Sequence, residues 1–119
     1  MKALREEIAR HAPLTVISAT WDAETLILRG NDWFFQSSGS WRLVGGGCIE
    51  FSCLDASAAS QLQGLCGKRL ISLGSQSRHL EDDPALLFED DRVLEIFSLS
   101  SYEPWSFHSA SEKVFIGFT

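Results

Sequence analysis

Long apolar runs are missing from the start of the chain, and neither an export leader nor a spanning helix is expected there. Its first residues, Met1 to Arg10, mix charges of both signs and hold no uninterrupted apolar stretch, so neither a secretory leader nor a spanning helix is read there. Cysteine is scarce and odd in number. Cys48, Cys53 and Cys66 cannot all sit in intramolecular disulfides and show no paired zinc spacing, so free thiols in a reducing, cytoplasmic setting are expected. Excess positive charge is missing too. With a net charge of −6, the chain does not suit direct binding of nucleic acid, which asks for a basic face; an acidic surface suits a basic partner. Residues 61–119 hold nine acidic and five basic side chains, so the second half carries most of the field.

The 119 residues are 45% hydrophobic and 22% charged, enough to bury one core and too few for two ordinary domains. A single domain over 1–119 is expected. Leu4, Ile8 and Ala12 recur at helical spacing, Glu6 stands four residues before Arg10, and Pro13 ends the pattern, which predicts an N-terminal helix. Short β-branched and aromatic segments follow, separated by turn formers at Asp22, Gly30-Asn31-Asp32, Ser38-Gly39-Ser40 and Gly45-Gly46-Gly47. An alanine- and leucine-rich stretch from Asp55 to Leu65 predicts a middle helix, with Asp55 as N-cap and Gly67 past its end. Strands are expected again at Arg69–Leu73, Ala85–Glu89, Val93–Ser98, Trp105–His108 and Lys113–Phe118, with Asp90-Asp91 as a hairpin turn.

The two halves repeat one another. Val16-Ile17-Ser18, Leu26-Ile27-Leu28, Trp33-Phe34-Phe35 and Trp41-Arg42-Leu43 are answered in order by Leu70-Ile71-Ser72, Leu86-Leu87-Phe88, Leu94-Glu95-Ile96-Phe97 and Trp105-Ser106-Phe107. Cys48-Ile49-Glu50-Phe51 corresponds to Val114-Phe115-Ile116. The fold class is therefore α+β and mostly antiparallel β: two related meanders, 14–53 and 68–118, in a sandwich or a partly open barrel. Trp41 and Trp105, at matching positions, are assigned to the core, and Trp21, beside Asp22, to the surface.

No catalytic, metal or cofactor constellation is read from the sequence. His79 with Glu81, Asp82 and Asp83 lacks the alternating oxygens and the glycine of a calcium loop. No nucleophile elbow frames a serine, Cys66 belongs to an apolar helix end, and Gly45-Gly46-Gly47 precedes a strand without a P-loop lysine. What stands out is acidic: Glu81-Asp82-Asp83, in a loop ending at Pro84, and Glu89-Asp90-Asp91 at the next turn. They are either solvated turns or one negative rim that steers a basic protein partner.

Trp33-Phe34-Phe35 followed by Trp41-Arg42-Leu43, Leu65-Cys66-Gly67-Lys68-Arg69-Leu70 opening the second copy, and Leu94-Glu95-Ile96-Phe97 followed by Tyr102-Glu103-Pro104-Trp105 make the chain resemble a group of small bacterial strand-repeat proteins. Many of these stand among polymorphic toxin immunity proteins of the contact-dependent inhibition type. The resemblance implies a cytoplasmic, non-catalytic protein that occludes the active or substrate-binding surface of a cognate, basic toxin domain. Glu81, Asp82, Asp83, Asp90, Asp91, Tyr102 and Glu103 are the expected partner-binding residues. The alternative is a regulatory or scaffolding module that binds another bacterial protein or a small ligand.

Overall fold

The structure is a computed structural model and describes residues 1–77, 79–98 and 105–117. Helix α1, Lys2–His11, buries Leu4 and Ile8 one turn apart, and Ala12 turns extended ahead of Pro13. Arg10 pairs with Glu7, while Glu6 stands 4.0 Å from Lys2, so the helix uses different partners from the spacing expected of Glu6 and Arg10. Strands β1 (Leu14–Thr15), β2 (Ser18–Trp21), β3 (Leu26–Arg29), β4 (Phe34–Ser37), β5 (Ser40–Gly45) and β6 (Cys48–Ser52) follow. The β5–β6 hairpin turns on Gly46 and Gly47, both at positive φ, the conformation a two-residue hairpin needs.

The middle helix is shorter than its composition suggests. Helix α2 covers Ala58–Leu62 and tightens into a 3₁₀ turn at Gln63–Leu65. Asp55 does not cap it, because its carboxylate accepts the Ser52 N–H at 2.7 Å within the preceding turn. Strands β7 (Arg69–Ser77), β8 (Leu80–Phe88), β9 (Val93–Phe97), β10 (Trp105–His108) and β11 (Val114–Gly117) follow among the described residues.

Glu81-Asp82-Asp83-Pro84 therefore lies in strand β8, not in a loop. Proline is tolerated there because the β8–β9 ladder reaches only to Ala85↔Glu95. Beyond that rung side chains take over. The Gln76 amide donates to the Pro84 carbonyl at 3.1 Å and to the Ile96 carbonyl at 2.7 Å, and Asp83 accepts the Ser98 N–H at 2.8 Å.

All recorded strand pairs are antiparallel, in two sheets that are not closed into a barrel. The first runs β1-β7-β8-β9-β5-β6 and the second β11-β10-β4-β3-β2. After β1, which joins the first sheet, each half of the chain lays down three strands in one sheet, crosses, and adds two strands to the other. Registers at the crossings correspond as well: Trp41 lies opposite Ile96 of β9, and Trp105 opposite Ser37 of β4. The helices follow suit, α1 packing on β7 and α2 with its 3₁₀ turn on β2.

One apolar cluster fills the space between the sheets. In the second sheet Ala19, Leu28, Phe35, Phe107 and Phe115 form one inward row, and Trp21, Leu26, Ser37, Trp105 and Gly117 the other. Trp41 and Trp105 are buried as expected; Trp21 is half-buried, its ring edge-on to Trp41 at 5.5 Å. Apolar burial at about 25 cal/mol per Å² makes these rows the main source of stability.

Gly117 is shaped by its neighbour, since a Cβ there would stand 2.0 Å from the Trp105 indole nitrogen. Gly117→Ala is expected to cost about 1–3 kcal/mol in urea unfolding, whereas Gly74→Ala, with open space at its Cβ, should stay within about 0.5 kcal/mol of the parent.

Candidate functional site

The outward residues of the second sheet form two straight rows across its five strands. Ser18, Arg29, Phe34, His108 and Val114 lie opposite one another in one row, and Thr20, Ile27, Gln36, Ser106 and Ile116 in the other. With strands about 4.8 Å apart, the face spans roughly 19 Å. None of its ten positions is a carboxylate, in a chain whose sequence has 16 acidic residues.

The centre of the face is ordered by ring contacts. The Phe34 and His108 rings stack at 3.9 Å with 13° between planes, and the Arg29 guanidinium carbon lies 5.3 Å from the Phe34 centroid. Ser106 and His108, two residues apart on one strand face, bring Oγ and Nε2 to 3.3 Å. Beside them an open trough of about 420 Å³ runs past Gln36, Ser38, Ser106, His108, Val114 and Ile116. It offers hydroxyl, amide and imidazole groups around aliphatic surface.

Carboxylates gather instead at the turns bounding the face. Asp22 and Glu24 lie in the β2–β3 turn at one end; Asp32 in the β3–β4 turn and Glu112 in the β10–β11 turn lie at the other, and all four residues are exposed. Asp22 Oδ1 accepts the N–H groups of Thr25 at 2.7 Å and Glu24 at 2.9 Å. Those hydrogen bonds hold its carboxyl below the ordinary aspartate value.

The acidic residues picked out by the sequence do not form one rim. Glu81, Asp82 and Asp83 lie in the first half of β8 and Asp90 in the turn past its far end, with about 17 Å of strand between Asp83 and Phe88. Asp83 is half-buried and engaged with the Ser98 N–H, and only the backbone of Glu81 and Asp82 is described. At the other end charges are paired: Arg69 with Glu89 at 2.6 Å, Arg92 with Asp90 at 2.9 Å, and Lys68 with Asp90 at 3.9 Å. Burial opposes ionisation of Asp90, but hydrogen bonds from the Arg92 N–H and guanidinium outweigh it and lower its pKa. Asp91 is exposed at φ 66°, closing the β8–β9 hairpin. Tyr102 and Glu103 lie outside the described residues.

A second polar centre escaped the sequence reading. Glu7 is only 1% exposed, yet it receives the Ser109 hydroxyl and the Arg10 guanidinium, with His11 Nε2 at 3.4 Å and Lys113 Nζ at 3.9 Å. It ties α1 to the β10–β11 turn. Its only local signal is its helical spacing from Arg10 and His11; Ser109 and Lys113 are about a hundred residues away in sequence. Ser111 Oγ also meets His11 at Nε2, at 2.8 Å. Serine and carboxylate thus address the same ring nitrogen, whereas a relay needs one on each side of the ring. The cluster is a clamp. The three thiols are free, and among the described residues no group of three or more His, Cys, Asp or Glu side chains converges as a metal site.

The Ser109 hydroxyl chiefly lowers the Glu7 pKa; burial opposes it, and Ser111, Lys113 and Arg10 add to the lowering. A carboxyl held below its ordinary 4.5 stabilises the fold above that value and loses the contribution as pH falls through its folded pKa. The gap in melting temperature between the parent and Glu7→Gln should therefore narrow from about pH 7 to about pH 3.

No protein-family model, curated protein sequence or solved structure matches the chain.

Proposed function

We propose that the protein is a non-catalytic binding protein that docks a partner protein on the outer face of the second sheet. Its biological form is an immunity protein that neutralises a toxin domain by covering the domain's active or substrate-binding surface. The carrying observation is the distribution of charge: a carboxylate-free face of Ile27, Phe34, Gln36, Ser106, His108 and Ile116, bounded by Asp22, Glu24, Asp32 and Glu112. An interface with a desolvated centre and a charged rim has this anatomy. The acidic rim and the net charge of −6 favour a partner that surrounds an apolar patch with lysine and arginine. This moves the expected contact surface from the β8 acids to the turns of the other sheet.

Binding fits the face better than catalysis does. Ser106 and His108 could supply a hydroxyl and a base, but no carboxylate on the face orients the imidazole, and the Phe34 ring covers one side of it. Stacking of a nucleobase fits no better, since Phe34 already holds Arg29 on one side and His108 on the other.

Co-purification from the cells that make the protein, at low and moderate salt, tests the reading. A captured protein should inhibit growth when expressed alone and lose that effect when the immunity protein is co-expressed. Phe34→Ala should speed dissociation of the purified pair by about 30-fold or more. Joint reversal of Glu24, Asp32 and Glu112 to lysine should slow association about 10-fold or more and flatten its salt dependence. A complex indifferent to both sets would place the contact elsewhere on the molecule. A captured protein without toxicity would replace immunity with the regulatory or scaffolding role.

A further inference from the structure

The two sheets expose four edge strands, and three of them are blunted. The edge of β2 is covered by α2 and its 3₁₀ turn, whose Gln63 amide donates to the Ala19 carbonyl at 2.8 Å. Strand β1 is two residues long, and the chain beyond it is already bonded, Val16 N–H to the Lys68 carbonyl and Gly67 N–H to the Val16 carbonyl. Strand β6 is bulged: its register shifts between Leu43 and Val44, leaving Glu50 outside the ladder and 3.7 Å from Arg92. Short strands, bulges, charges and covering helices are the usual defences of a sheet edge.

Strand β11 has neither a bulge nor a charge. It pairs with β10 over four successive rungs without a shift, and no residue from Val114 to Gly117 is charged. It is the last strand of its sheet, and α1 meets the turn ahead of it, where Glu7 receives the Ser109 hydroxyl and stands 3.9 Å from Lys113. Val114 and Ile116, 53% and 43% exposed, face outward from it.

We propose that β11 is an association edge that takes the β11 of a second copy of this chain, antiparallel about a two-fold axis at Phe115. In that register Val114 of each copy lies opposite Ile116 of the other, so the outward aliphatic pairs match twice. The symmetry is the closed, two-fold kind in which one patch meets itself. Charge favours the same place. Two chains at −6 each repel one another, and β11 brings uncharged strands together with the carboxylate-free face on either side. Association here continues the second sheet to ten strands and leaves both copies of that face open, so it does not depend on which partner the face binds.

Sedimentation of the full chain over about 10–500 μM tests this. The average mass should rise from 13.2 kDa toward twice that value with concentration. Ile116→Lys and Val114→Lys should each weaken association about 10-fold or more, with circular dichroism unchanged because both side chains point to solvent. Ile49→Lys, on the bulged β6 edge, should leave association as it is. A mass that stays at 13.2 kDa over the whole range would overturn the proposal. So would association insensitive to both β11 substitutions, or association abolished by Ile49→Lys.

Discussion

The structure depends on an exchange of strands at two places, where β10 closes the open edge of β4 and β5 closes that of β9. A three-stranded meander such as β2-β3-β4 has one apolar face and nothing of its own to lay against it. Each half solves this by sending its last two strands to the opposite sheet, with a tryptophan at the crossing: Trp41 in β5 and Trp105 in β10. The first crossing is tight enough to require glycine, since a Cβ on Gly39 would meet the Phe97 carbonyl oxygen at 2.4 Å. Ser37, buried beside it, satisfies its hydroxyl by accepting the Gly39 N–H. Neither sheet is complete without both halves, so the core forms as one unit even though its ladders join residues more than fifty positions apart.

Local chemistry made much of this path legible. The repeated order of apolar segments reflects two halves that follow the same route, and the matched tryptophans reflect equivalent rungs. Hairpins at Gly46-Gly47 and at Asp90-Asp91 were readable because each needs residues that tolerate positive φ, which Gly46, Gly47 and Asp91 supply. Signals failed where a distant group changed the meaning of a residue. Pro84 reads as the end of a loop, yet in β8 it costs no ladder bond because the amide of Gln76 bridges the gap. Trp21 stands next to a turn, but the Trp41 ring draws it inward.

The site was less legible than the fold for the same reason. Runs of acidic residues catch the eye in a sequence, but their charge is spent locally when the register puts Arg69, Lys68 and Arg92 around Glu89 and Asp90. The carboxylate-free face has no signature along the chain, because each strand contributes only two of its residues and only the cross-strand register aligns them. Glu7 is the extreme case. One of several charged residues in a helix, it becomes a buried anion because the β10–β11 turn brings Ser109 and Lys113 to it.

The two outer faces differ in what their polar groups already hold. The equivalent rows on the first sheet are Ser72, Leu87, Val93, Val44 and Ile49, and Gly74, Ala85, Glu95, Arg42 and Ser52. Where the second sheet has Gln36 opposite Ser106, the first has Glu95 opposite Arg42, joined at 2.6 Å, with the guanidinium also over the Phe97 ring at 4.9 Å. A bidding partner for Arg42 would have to break an ion pair and expose its carboxylate, and the gain would be small against that loss. Gln36 and Ser106 leave amide and hydroxyl groups facing an open trough, where a partner can add hydrogen bonds without uncovering a charge. One backbone plan, laid down twice, thus carries a face that satisfies itself and a face that can accept a partner.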